Sequence, residues 1–248
     1  MAFWKRGSDA QDSAVAQVRA TAEEISTLRA ARFAGTTEYS DRGPGTNHGV
    51  RSFLTDTAHQ FLTVDGRTTE AIHLDRIVYL RLDEPTAAAV GKAWVARKAA
   101  AAQWELLVGL ETVCAVAATA DSATDLGPTP TDEGTLTRLR TAFLPDRSGR
   151  EPQIKRLAQL VKVFQADAVT LDLFFDDAAR LRRYRICWQE AKLSDPDVGD
   201  YRMTMAREYY DFAVDPEIKL PPARDVLMQG HLDADLRAVP VISVGAKE

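Results

Sequence analysis

The sequence predicts an α+β fold in which one curved antiparallel β-sheet, a half-barrel, wraps around several α-helices. Three observations carry that prediction. Short stretches rich in Val, Ile, Thr, Phe and Tyr recur between turn residues from Arg32 to Leu82. Two more alternating stretches lie at Val169–Asp176 and Leu181–Glu190. Between these groups, the Ala-rich stretch Ala99–Ala120 is apolar over more than half of its helical circumference, the pattern of a helix that is buried or faces a cavity.

The elements follow in order. Residues 9–31 read as an amphipathic helix, with Val15, Val18, Ala22, Ile25 and Leu28 at spacings of three and four. Five short strands are expected next: Arg32–Asp41, Gly49–Thr55, Ala58–Val64, Arg67–Leu74 and Arg76–Leu82. Asp65-Gly66 marks a tight hairpin between the third and fourth. In the last, Val78, Leu80 and Leu82 share one face and Ile77, Tyr79 and Arg81 the other. Asp83-Glu84-Pro85 reads as a stop, and Gly91–Val95 as the start of a further strand. After the helix 99–120, Ala120–Gly134 is the most loop-like stretch, and Thr135–Phe143 and Glu151–Gln165 read as helices. Later strands are expected at Val169–Asp176, Leu181–Glu190 and Tyr201–Phe212, a short segment at Ala223–Met228, and a last strand at Val239–Val244. Because the later strands need the earlier ones to complete a sheet, residues 1–248 are read as a single domain. Its core is about 15–228, with a loop-rich insertion at 120–165 and a tail at 229–248.

Composition narrows the function. With 45% hydrophobic and 27% charged residues and a net charge of −5, the chain has ordinary globular values and lacks the basic stripe of a nucleic-acid binder. Cys114 and Cys187 both fall inside apolar patterns, which favours two reduced, buried thiols, although one disulfide is open. His48, His59, His73 and His231 are scattered, so no His/Cys metal site is expected. No run of about 18 apolar residues predicts a transmembrane helix. No apolar stretch after the first basic residues, and no early cysteine, signals export or lipidation, so the sequence as given reads as cytoplasmic.

Catalytic signatures are absent: no Gly-x-Ser-x-Gly elbow, no phosphate-binding loop and no dinucleotide fingerprint. Neither an enzyme nor a cofactor is expected. Glu23-Glu24 and Asp176-Asp177 pair carboxylates, the first on a helix face and the second in a turn, where solvation explains both. Arg180, Arg182, Arg183 and Arg185 read as the charged outer face of a strand, or as a contact for lipid phosphates or another acidic partner.

The order of several short motifs resembles the actinobacterial LppX/LprG lipoproteins, within the LolA-like superfamily of lipid and lipoprotein carriers. These are Arg32-Phe33, Val78-Tyr79-Leu80, Gly91-Lys92-Ala93-Trp94-Val95, the two stretches from Val169 to Arg185 around Asp176-Asp177, and Tyr210-Asp211-Phe212 followed by Ile218-Lys219-Leu220-Pro221-Pro222-Ala223. The chain departs from that pattern in a longer, charged middle, Thr131–Gln165. The resemblance implies an unclosed barrel around helices with an apolar cavity for acyl chains, hence non-catalytic binding of a lipid or other apolar small molecule. The inward-facing candidates are Val78, Leu80, Trp94, Trp104, Leu107, Leu110, Val113, Leu171, Leu173, Tyr184, Ile186 and Trp188, each of which also serves as plain core. The alternative is an interaction scaffold whose cavity is filled and whose partner is a protein.

Overall fold

The computed structural model describes residues 3–40, 43–74, 77–98, 110–132, 134–144, 152–195 and 199–228. Five antiparallel strands open the sheet: β1 (Ala30–Tyr39), β2 (Gly45–Ser52), β3 (Thr57–Val64), β4 (Arg67–Leu74) and β5 (Ile77–Arg81). After a short helix comes β6 (Trp94–Lys98). A second meander follows: β7 (Thr124–Thr131), β8 (Gly134–Phe143), β9 (Ala168–Phe175), β10 (Leu181–Asp195) and β11 (Gly199–Tyr210), with β12 (Val226–Met228) last. The helices are α1 (Phe3–Ser26), α2 (Glu84–Val90), α3 (Leu110–Ala118) and α4 (Pro152–Val163).

All twelve strands form one sheet, in the order β12-β6-β5-β4-β3-β2-β1-β11-β10-β9-β8-β7. Every pairing is antiparallel except β12 on β6. Among the described residues the ends of that order, β12 and β7, do not pair with each other, so the sheet they form is open rather than a closed barrel. The two meanders meet where β1 pairs with β11, Phe33 opposite Tyr209 and Gly35 opposite Arg207. Asp65 and Gly66 both adopt positive φ, 49° and 76°, and turn β3 tightly into β4. A bulge in β10 between Trp188 and Ala191, with Glu190 at φ 49°, interrupts the register against β11 and adds local bend and twist.

Several expected elements are corrected. Helix 1 ends at Ser26, and the strand begins at Ala30 rather than at Arg32. Asp83-Glu84-Pro85 starts a helix instead of only ending a strand: the Asp83 carboxylate accepts the Thr86 backbone N–H at 2.9 Å, Pro85 sits in the first turn, and Gly91 at φ 67° closes α2. The segment expected as a loop at Ala120–Gly134 contains β7, an edge strand, which is where Pro128 and Pro130 are tolerated. Thr135–Phe143, expected as a helix, is β8. Its Leu139, Thr141 and Phe143 turn one way and pair with Leu173, Leu171 and Val169 of β9, and tertiary pairing overrides a weak helical pattern. Residues 99–109 of the expected helix 99–120, and the strand expected at 239–244, lie outside the described residues.

Helix α1 packs along α3, and both lie over the β7–β9 end of the sheet. Val18 and Ile25 of α1, Val113 and Val116 of α3, and Leu157 and Val161 of α4 join Leu171, Leu173, Tyr184, Ile186 and Trp188 in one large core. Phe164, just past α4, meets the Trp188 ring edge-on at 5.4 Å. Trp188 is 1% exposed and sits beside the bulge. Trp188→Ala is expected to cost about 3–5 kcal/mol, seen as a lower urea midpoint with an unchanged m-value.

Candidate functional site

Cross-strand partners in a sheet point to the same face, so register assigns the residues of the helix-covered, concave face. One row across it runs Tyr209, Phe33, Gly49, Gln60, Ala71, Leu80, Val95. Beside it run Ala31, Arg51, Ala58, His73, Val78, Arg97. On the other side, Arg207, Gly35 and Asn47 align. The face therefore has three zones. The β8–β11 half carries the large core. On β4–β6, Ala71, Val78, Leu80 and Val95 form a second, separate apolar cluster with Leu82 against it. Between the two lies a strip of buried polar groups: Asn47, Arg51, Gln60, His73 and Arg207.

Apolar neighbours set the chemistry of this strip. The Arg207 guanidinium lies 5.0 Å from the Phe33 ring centroid, and that of Arg51 lies 5.4 Å from Phe53, so both cations rest on aromatic faces. Arg51 Nη2 also donates to Asp56 Oδ1 at 2.5 Å, at the rim of the sheet. Burial lowers the Arg51 pKa from its usual value, against the opposing pull of Tyr209 and Asp56. Gln60 Nε2 donates to His73 Nε2 at 2.7 Å, which makes that nitrogen an acceptor and the imidazole neutral. Burial, reinforced by Arg207, Arg51 and Arg97, pushes the His73 pKa down to about 3. At the junction of Phe33, Arg51, Ala58, Gln60, His73, Arg207 and Tyr209 a cavity of about 10 Å³ remains, about the room of one water.

The convex face is organised differently. Asp172 is buried between two arginines, accepting from Arg140 Nε at 2.6 Å and from Arg138 Nη2 at 2.5 Å. Burial alone would raise its pKa, but those hydrogen bonds and charges outweigh it and hold the carboxyl below its usual range. Arg183 bridges Glu208 and Asp132 and stacks on Tyr210, and Arg180 pairs with Asp176. Two members of the arginine cluster, Arg180 and Arg183, thus bind acids of this chain.

The candidate residues divide accordingly. Leu171, Leu173, Tyr184, Ile186, Trp188 and Val113 lie together in the large core, and Val78 and Leu80 in the second cluster. Trp94 is corrected: it pairs with Arg81, whose guanidinium lies 5.5 Å from its ring, and so faces the convex side. Trp104, Leu107 and the side chain of Leu110 lie outside what is described. The polar strip was missed. Arg51, His73 and Arg207 stand at inward positions of otherwise alternating strands, and a charged residue at an inward position was the available signal. Among the described residues no group of three or more His, Cys, Asp or Glu is placed to hold a metal ion, and no helix is long and apolar enough to cross a membrane. Cys114 and Cys187 are not joined in a disulfide, and burial raises the pKa of Cys187. A separate open cleft of about 510 Å³ lies beside α4, lined by Ala158, Gln159, Val161, Lys162, Gln165 and Ala166.

No protein-family model and no curated protein sequence matches the chain. Solved structures do. The chain is similar to the lipoprotein LppX of Mycobacterium tuberculosis, with 10% identity, a TM-score of 0.49, and 79% of this chain and 93% of that one covered. It is similar to LprF of Mycobacterium bovis, with 12% identity, a TM-score of 0.48, and coverage of 85% and 97%. A LolA superfamily protein of Nitrosomonas europaea matches with 11% identity, a TM-score of 0.27, and coverage of 82% and 93%.

Two pH-linked outcomes follow. The unfolded chain protonates His73 near pH 6.5, the folded one only near pH 3, so the unfolded state binds more protons in between and stability falls as pH drops through that window. A His73→Met variant is expected to lose about 2 kcal/mol less than the parent between pH 7 and pH 5, read from urea midpoints. The Asp172 pKa is depressed, so its contribution is present above the unfolded carboxyl value and is lost as pH falls through the lower, folded one. Asp172→Asn is expected to cost about 2 kcal/mol at pH 7, less than a fully buried pair because Arg140 is 43% exposed, and to flatten unfolding curves below about pH 4.

Proposed function

We propose that the chain is a non-catalytic binding protein for a lipid or other apolar small molecule, held on the concave face of its sheet over β4–β6. The observation that supports this reading most is the second apolar cluster. Ala71, Val78, Leu80 and Val95 line part of the sheet apart from the large core, while α1 and α3 gather at the β7–β9 end. This cluster is itself buried, at most 8% exposed, so it would have to open to admit acyl chains, which gain about 0.8 kcal/mol per buried CH₂. The ordered motifs resembling the LppX/LprG lipoproteins point to the same class of ligand.

A second reading is a scaffold with a filled interior that binds a protein. It draws on the smallness of the cavity on the concave face, about 10 Å³. The two diverge in a direct assay. The ligand reading expects saturable uptake of a fluorescent long-chain alcohol at one molecule per chain, retained in native mass spectrometry. It also expects Ala71→Phe, which overpacks this buried cluster at a cost of about 1–3 kcal/mol in stability, to weaken uptake more than tenfold in protein that remains folded at the assay temperature. An apo mass with no uptake at micromolar probe would leave the scaffold reading.

A further inference from the structure

We infer that the connection 211–225 is a strap across the concave face, and that a ligand reaches the apolar cluster on β4–β6, the floor of the proposed site, when the middle of the strap lifts. This inference rests on the proposed ligand reading and adds its route of entry. Topology requires a crossing. β11 ends at Tyr210 inside the sheet, β12 joins β6 at the far edge, and β1–β5 lie between them. Phe212 stacks on Tyr184 at 6.0 Å, so the chain leaves β11 on the concave side. From β11 to β6 the sheet measures about 29 Å across its strands. The crossing is oblique, because Tyr210 stands in the row that ends at Ala96 whereas Asp225 bonds Ala93. Fully extended, the chain from Phe212 to Ala223 reaches about 36–40 Å. That leaves little slack, and too little for the longer arc around the convex side.

Both ends of the strap are tied, and its middle is not. At the start, Asp211 at φ 52° turns the chain, and its carboxylate accepts from Arg32 Nε at 2.9 Å. At the end, Lys92 Nζ donates to the Arg224 carbonyl, the Ala93 N–H donates to the Asp225 carbonyl at 3.1 Å, and β12 pairs with β6. Among the described residues, 215–221 make no hydrogen bond or ion pair with any other element, and the pair of Lys219 with Glu217 is internal. Burial alternates along the strap. Phe212, Val214, Pro216 and Ile218 are half-buried, while Ala213, Asp215, Glu217 and Lys219 are exposed. This is an extended segment laid down by its apolar side. Pro216, Pro221 and Pro222 stiffen it and cannot donate to a neighbouring strand. A stiff middle held by apolar contact alone lifts without breaking a hydrogen bond to the rest of the fold. The floor needs such an opening, because Ala71, Val78, Leu80 and Val95 are at most 8% exposed.

The test follows two signals in the full chain. Ala71→Cys places a thiol in the floor, and its rate of maleimide labelling, read by peptide mass spectrometry, reports opening without any ligand. Pro221→Gly with Pro222→Gly loosens the strap, and Ile218→Ser removes a half-buried contact. In the Ala71→Cys background each is expected to speed labelling at position 71 about fivefold or more, while the native Cys114, packed against the large core, labels at its former rate. With a fluorescent long-chain alcohol, each is expected to raise the uptake and release rates together and to leave Kd within about twofold, as a gate does. If one variant fails to fold, the other decides. Unchanged labelling at position 71, with uptake at the parent's rates, overturns the strap and leaves the ligand reading standing. Equal acceleration at position 71 and at Cys114 is general loosening and also overturns it. Faster labelling at position 71, with no uptake of the alcohol by any of these proteins, overturns the ligand reading and with it the strap's part in entry, although the strap lifts.

Discussion

The pairing of β1 with β11 is the constraint on which the rest depends. It joins residues far apart in the chain, Arg32 with Tyr210 and Thr37 with Met205, and turns two separate meanders into one sheet. Local backbone preference cannot specify so distant a register. Aromatic side chains stabilise it on the concave face: Tyr209 stacks on Tyr184 at 4.8 Å and meets Phe33 at 5.8 Å and Phe53 at 6.1 Å. Such ring pairs contribute about 0.5–1.5 kcal/mol each beyond the area they bury. On the convex side, Arg32 and Asp211 add an exposed ion pair of little energetic weight. The polar strip straddles this seam, because Arg207 belongs to β11 and Asn47 and Arg51 to β2, with β1 between them. The candidate site exists only in the joined sheet.

The two faces handle charge in opposite ways. On the convex face, acids and arginines alternate across neighbouring strands, so Asp172 can be buried and yet stay ionised between Arg138 and Arg140. On the concave face, cations are seated on rings, and the nearby histidine is kept neutral by burial and by their field. The first arrangement fixes strand register. The second seats buried cations on aromatic rings between the two apolar clusters.

Much of the fold was legible because period-two alternation and turn chemistry are local. Arg67–Leu74 has the same bounds in sequence and structure, the Asp65-Gly66 hairpin is present, and Tyr184, Ile186 and Trp188 point inward against Arg183 and Arg185. Errors came where a segment's state is set from outside. Thr135–Phe143 is a strand because β9 is there to pair with it, and the proline-bearing segment 124–131 is a strand because it forms an edge. Asp83-Glu84-Pro85 breaks a strand and starts a helix with the same residues. For the site, alternation placed Val78 and Leu80 on the floor, whereas Trp94 required the register with Arg81, which one residue's offset reverses. The polar strip gathers residues from β2, β3, β4 and β11, and no spacing in the chain announces that meeting.

The open sheet carries its large core at one end and a second, smaller apolar cluster at the other, and the proposed reading assigns ligand binding to the second. The most direct test of that division is to locate the bound ligand. A long-chain alcohol bearing a photoreactive diazirine at mid-chain, cross-linked to the protein and mapped by peptide mass spectrometry, should label the strands that carry Ala71, Val78, Leu80 and Val95. Labelling confined to the convex face, around Tyr79, Arg81 and Phe61, or to the cleft beside α4, would contradict the account.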